Sequence, residues 1–287
     1  MRTASGPSVI GTGVRPRGAS PGSNNRSKFS GSIPRVLLEY AAFAVWCFTV
    51  ALAGGLVGLV LGNLRLPLVL LLAASPASGA GTNLAISAVA AATASVAHIR
   101  AGRINWRLFA WMAPPSIAGA VVGGYLAGTV PSRALLLAIA AVLLYSGIDL
   151  LRWEPPAPAD GDAPPPKVDI PAAVATGGVI GLLGGFVGLI LGSLRMPALL
   201  RIVHETPARA VGTNVTVGFC VGVAGALAHL PDASPDWGLL ALGAAASTPG
   251  ALLGSRLTGR LSPRTLVRAI AVILLGVAIV IAVEALA

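Results

Sequence analysis

From Val36 onward the chain reads as long apolar stretches separated by short polar, glycine-rich or proline-bearing segments. Several stretches reach about 20 residues, the length a helix needs to cross a hydrocarbon core about 30 Å thick. They predict spanning helices near 36–61, 82–97, 108–129 and 134–151, and again near 172–191, 213–228, 239–257 and 266–285. Two shorter apolar pieces, 67–74 and 197–203, begin with Pro67 and Pro197. Proline is favoured at a first helical position, where its missing N–H would have no partner anyway. At about 1.5 Å per residue, each short piece covers about half a bilayer. The pattern places a break in the first helix of each series, at 62–65 and 192–195.

The pattern also repeats. Gly54-Gly55-Leu56-Val57-Gly58-Leu59-Val60-Leu61-Gly62-Asn63-Leu64-Arg65-Leu66-Pro67 returns as Gly184-Gly185-Phe186-Val187-Gly188-Leu189-Ile190-Leu191-Gly192-Ser193-Leu194-Arg195-Met196-Pro197. Gly81-Thr82-Asn83 returns as Gly212-Thr213-Asn214, His98 as His229, Trp106 as Trp237 and Arg133 as Arg264. The offset is 130 residues at the first motif and 131 thereafter, so one inserted residue separates two otherwise matching halves. The reading is an all-α, polytopic transmembrane helix bundle of two homologous repeats. It has about 8–10 membrane segments, two of them short broken helices. Its divisions are a basic tail at 1–33, repeat 1 at 34–151, a proline-rich polar linker at 152–171 and repeat 2 at 172–287.

Composition agrees. Hydrophobic residues make up 55% of the 287 and charged residues 10%, against about 25% charged in a soluble domain. Too little polar surface remains to cover a globule in water, so the apolar faces meet lipid or one another. The net charge of +10 is uneven: six of the 20 basic residues fall in the first 35 positions, which hold no acid. Rich in Gly, Ser, Pro and Asn, that stretch is expected to be disordered. Just before a spanning helix it reads as a cytoplasmic tail obeying the positive-inside bias, not a nucleic-acid-binding arm. Cys47 and Cys220 lie inside apolar runs, where cysteine behaves as a small hydrophobe, so neither a disulfide nor a metal site is expected.

Orientation stays open at this level. The loop at 98–107 carries three arginines and its counterpart near 230–237 none, whereas 256–264 carries three and 131–133 one. That exchange favours halves inserted upside down relative to each other. The basic tail instead favours four crossings per half.

Backbone outside regular helix is tolerated at membrane depth only inside protein or beside a water-filled cavity. The start of a half-length helix presents free N–H groups and partial positive charge, which attract anions. Arg65 and Arg195 add planar, permanently charged forks suited to carboxylate or sulfonate oxygens. With Gly62, Asn63, Gly192 and Ser193 they form two related sites, expected to converge and clamp one anion. The competing reading has both arginines anchoring helix ends at an interface. Thr82, Asn83, Thr213 and Asn214 open long helices, where such residues cap the backbone and their hydroxyl and amide groups can also bond an oxyanion. His98 and His229 read as interfacial helix-end residues, with proton coupling as the alternative. Trp106 and Trp237 read as interfacial belt residues, and Glu205 as a surface ion pair with Arg201 or Arg209, with a proton or cation site as the alternative. No metalloprotease, phosphate-loop or serine-hydrolase motif occurs, so neither an enzyme nor a bound cofactor is expected.

In its glycines Gly58 and Gly62, Pro67, the Gly81-Thr82-Asn83 start and the polar loop from His98 to Trp106, the chain resembles the sulfite exporter TauE/SafE family of membrane permeases. The second half matches at Gly188, Gly192, Pro197 and Gly212-Thr213-Asn214. Arg65 and Arg195 lie outside that family's general pattern. The resemblance implies a secondary transporter for sulfite, a sulfonate or a related organic anion. It would sit as a multi-pass protein in a prokaryotic plasma membrane, with a proton or sodium as coupling ion. The alternatives are a permease for cations or neutral solutes and a membrane scaffold without transport.

Overall fold

A computed structural model describes residues 33–126, 131–154, 169–187, 191–229 and 235–286. The predicted tail, up to residue 32, and most of the predicted linker lie outside the described residues. The described residues form ten α-helices and no strand. They are α1 Ile33–Val57, α2 Gly62–Leu72, α3 Pro76–Arg100, α4 Trp106–Tyr125, α5 Ser132–Leu151, α6 Ile170–Val187, α7 Gly192–Arg201, α8 Pro207–His229, α9 Trp237–Thr258 and α10 Pro263–Leu286. Residues 40–287 form one unit and the segment up to Glu39 another.

The first interruption lies earlier than predicted. Gly58 takes the left-handed conformation, φ +69°, and the Leu59 N–H donates to the Gly54 carbonyl at 3.0 Å. This closure needs a residue that reaches positive φ at no steric cost, and it ends α1 at Val57. Gly62 and Arg65 therefore belong to α2, as Gly192 and Arg195 belong to α7. Pro67 and Pro197 stand at the sixth position of these helices and do not open them. Each forfeits one helical bond, to the carbonyl four residues back.

The long helices also start earlier. Pro76 opens α3, and the Ser75 side chain accepts from the Ser78 N–H at 3.2 Å; Pro207 opens α8. Gly81-Thr82-Asn83 and Gly212-Thr213-Asn214 thus sit in the second turn. There the backbone N–H groups already have helical partners and need no cap.

Packing sets the helix directions. Gly250 and Gly254 of α9 lie against the α1 backbone at Phe48 and Leu52, and Gly55 of α1 lies against Ala251. Gly177 and Gly181 of α6 meet the α4 carbonyls of Met112 and Ser116. A Cβ at any of these glycines would collide with backbone, so each pair closes to the distance at which van der Waals contact replaces a hydrophobic drive. Both pairs run parallel.

The central helices α3 and α8 are antiparallel: Gly212 lies beside His98, and Val215 clusters with Ala91 and Ala94. α9 follows α3, with Asp236 bonded to Thr82 and Gly243 against Ile86. α5 and α10 are antiparallel, Gly147 resting on Ala271 and Leu275. Tyr145, Ile148, Val272, Ile279 and Val283 on these two helices stay exposed, as lipid-facing residues do. Among the described residues, four helices carry stretches long and apolar enough to cross a membrane, Val36–Val57, Gly81–Arg100, Trp237–Thr258 and Pro263–Leu286.

Candidate functional site

Both arginines are inside the protein, not at an interface: Arg65 and Arg195 are each 1% exposed. The Arg65 Nε–H donates to Asn83 Oδ1 at 3.0 Å, and its Nη2 donates to Ser87 Oγ at 2.6 Å and to the Asn83 carbonyl at 3.3 Å. Asn83 is held in turn, its Nδ2 donating to the Gly62 carbonyl at 3.1 Å. In the second half Arg195 Nη1 donates to Asn214 Oδ1 at 3.2 Å, and Asn214 Nδ2 to the Gly192 carbonyl at 3.0 Å. Arg195 Nε has no partner. Among the described residues no carboxylate comes within ion-pair distance of either guanidinium; the ion pairs there join Arg201 to Asp149 and Arg264 to Glu154.

The two interruptions meet through Asn214. Its Nδ2 donates to the Gly58 carbonyl at 2.8 Å as well as to Gly192. Gly58 rests on the backbone of Val211, and Gly218 beside Val60. Next to this junction is a cavity of about 20 Å³ lined by Gly54, Leu59, Gly62, Arg65, Ser87 and Val215 among others. It has room for about one water molecule. Arg195 does not line it. Neither α2 nor α7 has a side-chain cap, Leu61 and Leu191 standing at their N-cap positions. Gly62 and Ser193 are buried at these starts, and Asn63 is half-buried.

Thr82 and Thr213 serve as ties between the halves. Thr82 Oγ1 accepts from the Asp236 N–H at 2.8 Å, and Thr213 Oγ1 from the Asn105 N–H at 3.0 Å. Asp236 and Asn105 cap α9 and α4, accepting from Leu239 N–H at 3.0 Å and Leu108 N–H at 3.1 Å. His98, expected at an interface, is fully buried with Nε2 3.3 Å from the Gly55 carbonyl. Its position near the end of α3 lies against the helix that breaks, not against lipid headgroups. The His229 side chain lies outside the described residues. Trp106 and Trp237 are 55% and 69% exposed at their helix starts, as interfacial residues should be.

Glu205 corrects another expectation. His204 takes φ +56° and the Glu205 N–H donates to the Leu199 carbonyl at 2.9 Å, which turns the carboxylate inward. It is 8% exposed and accepts from Asn105 Nδ2 and the Thr206 N–H, while Arg201 pairs with Asp149 instead.

Sequence reasoning missed Ser87, Asn105 and Asp236. Ser87 stands four residues after Asn83, on the same helical face, and that spacing could have marked it. Asn105 and Asp236 directly precede the two tryptophans, where a helix start calls for a cap.

Residues 43–281 match the family described as sulfite exporter TauE/SafE. The chain belongs to that family. The TauE/SafE chain is 26% identical over 230 residues to the probable membrane transporter protein YjnA of Bacillus subtilis (strain 168), covering 74% of this chain and 87% of the relative. It is 27% identical over 224 residues to the probable membrane transporter protein y4hK of Sinorhizobium fredii (strain NBRC 101917 / NGR234), covering 76% and 89%. A second Bacillus subtilis protein, the probable membrane transporter protein YunE, is 31% identical over 108 residues, 38% of each chain. No solved structure matches. This TauE/SafE protein is a multi-pass membrane transporter of a small molecule.

Proposed function

We propose that the protein is a secondary transporter whose substrate is a small anion, a sulfur oxyanion or sulfonate, engaged by Arg65 and Arg195. One observation carries the reading: two buried guanidinium groups whose partners are neutral oxygens. An unpaired buried ion costs several kcal/mol even after relaxation, and intramembrane charge marks function by default. An anion repays that cost when it arrives. The uncapped starts of α2 and α7 add N–H donors of the same polarity. Arg65, at the cavity, makes first contact, and Asn83, Asn214 and the glycines at 62 and 192 hold the interruptions in shape. Thr82 and Thr213 act on the other half's helix starts and reach the substrate only through their asparagine neighbours. A cavity of about 20 Å³ is too small for a sulfur oxyanion, so binding goes with a rearrangement of one helix group against another, as in alternating access.

The test is binding and flux with purified, reconstituted protein, screened for thermal stabilisation by sulfite, sulfate, thiosulfate, short sulfonates and carboxylates. Arg65→Ala and Arg195→Ala are each expected to lower affinity for the stabilising anion at least about tenfold, since a charge-assisted bond contributes about 1.5–3 kcal/mol. Wild-type affinity and flux in both variants, at equal amounts of folded protein, would end the reading.

A further inference from the structure

We propose that Glu205 is the proton site of this transporter, taking up a proton when an anion binds at Arg195; the inference rests on the anion reading above. Among the described residues Glu205 is the one buried carboxylate. Its Oε1 accepts from the Thr206 N–H at 2.9 Å and from Thr206 Oγ1 at 3.3 Å, while Oε2 accepts from Asn105 Nδ2 alone. Oε2 therefore keeps a lone pair for a proton, and among the described residues no cation pairs with the group.

Two short routes join it to Arg195. Along α7, the Glu205 N–H is bonded to the Leu199 carbonyl, one helical turn beyond Arg195. Across to α8, Asn105 bonds Glu205 with its amide and Thr213 with its backbone N–H. The residue after Thr213 is Asn214, the acceptor for Arg195 and the tie between both interruptions.

The charges dictate the sign of the coupling. An anion bound at Arg195 brings a negative charge into the protein interior, and a proton on Glu205 offsets it, so anion and proton favour each other. By reciprocity the proton tightens the anion by the same factor. Protonation at Oε2 converts that oxygen from carboxylate to hydroxyl and weakens its bond from Asn105. Strain on Asn105 passes to the start of α4, which it caps, and to the Thr213 tie.

Other ionisable groups near this segment are accounted for. Arg201 is paired with Asp149, and His204 and Arg209 are exposed. From the α3–α4 side, Arg103 donates to the Ser255 carbonyl, Arg107 is exposed, and His98 faces the Gly55 carbonyl.

The experiment uses the full-length protein in liposomes with ethanesulfonate, whose charge is constant across the working pH range, and sulfite alongside. Wild type is expected to take up protons with the probe, read by a pH dye in weakly buffered medium. Probe accumulation should rise by up to about tenfold per pH unit of inward-acid gradient, the limit for one linked proton. Glu205→Gln should still bind the probe but lose both the proton uptake and the gradient dependence. Asn105→Asp keeps a capping side chain, as Asp236 does for α9, and sets a second carboxylate against Glu205. Two carboxylates at one site hold a proton more readily, so the acid limb of transport should move to higher pH. Wild-type transport without proton uptake, or proton-linked transport surviving in Glu205→Gln, overturns the proposal while leaving the anion reading intact. Should Glu205→Gln fail to fold, an unchanged pH profile in Asn105→Asp overturns it equally. Wild type that moves neither ethanesulfonate nor sulfite overturns the anion reading and this inference together.

Discussion

Arg65 places its Nε–H and Nη2 on Asn83 and Ser87, whereas among the described residues Arg195 bonds Asn214 alone and its Nε–H is idle. The difference traces to one position. Where the first half has Ser87, the second has Gly218 at the repeat offset, and a glycine offers no hydroxyl. The glycines before the arginines differ in the same sense. A Cβ at Gly62 would press on Ser87 Oγ and stand 3.3 Å from Asn83 Nδ2, while at Gly192 the nearest atom is 3.5 Å away. Gly62→Ala is therefore expected to displace Ser87 from Arg65 and destabilise the protein by about 1–3 kcal/mol, the usual range for overpacking. Gly192→Ala should be neutral or gain up to about 1 kcal/mol from the better helix former. Thermal melting of both in detergent, with an anion titration, checks the contrast; equal effects would show that the two arginine sites are packed alike.

Among the elements, α1 ends where it does because of Gly58, and the backbone of Val211 fills the space a side chain would need. Gly58→Ala must leave the left-handed region or accept a cost of about 1–2 kcal/mol, and must also push α8 away. Its melting temperature should fall by several degrees. Gly81→Ala, with nothing within 4 Å of the added Cβ, should melt as the parent does. A Gly58→Ala protein as stable as Gly81→Ala would show that the break tolerates another geometry. The same comparison separates two roles that the Gly-Thr-Asn motif merges. Gly212 needs its missing side chain for the close approach of the Arg103 carbonyl, and Gly81 does not.

For the whole molecule, helix direction decides where the charges gather. Arg103 donates to the Ser255 carbonyl at 2.7 Å and lies on Gly259, so the α3–α4 connection and the α9–α10 turn share one end of the bundle. Partial burial pulls the Arg103 guanidinium below its ordinary pKa. Exposed Arg100, Arg107, Arg256, Arg260, Arg264 and Arg268 gather at the same end. Asp236, tied to Thr82, and Glu284, near the finish of α10, belong to the other. Basic connections remain on the cytoplasmic side, so the arginine-rich end is expected to face the cytoplasm; this goes against the reading of the basic tail, because α1 runs parallel to α9 and starts at the Asp236 end. Single cysteines at Arg260 and at Trp237, in a background with Cys47 and Cys220 replaced, test this. A membrane-impermeant maleimide added to intact cells should label the position at 237 and spare 260; the reverse pattern would invert the assignment.

The membrane class, the helical content, the family motifs and the recurrence of an arginine at 65 and 195 were legible along the chain, because apolar run length and a 130–131-residue recurrence are properties of sequence alone. The places where helices begin and end were only partly legible. The prolines at 67 and 197 were read as openings, since a local pattern cannot tell a proline that starts a helix from one that forfeits a single bond inside it. Which helices run side by side and in which direction, and what each polar group touches, depended on contacts between residues far apart in sequence. The bonds from Asn214 to Gly58, from Asn105 to Glu205 and from Arg103 to Ser255 join positions at least 100 residues apart. Burial of His98 and Glu205 followed from those contacts: a side chain's surroundings are set by what packs against it, and that is fixed only when the chain closes on itself.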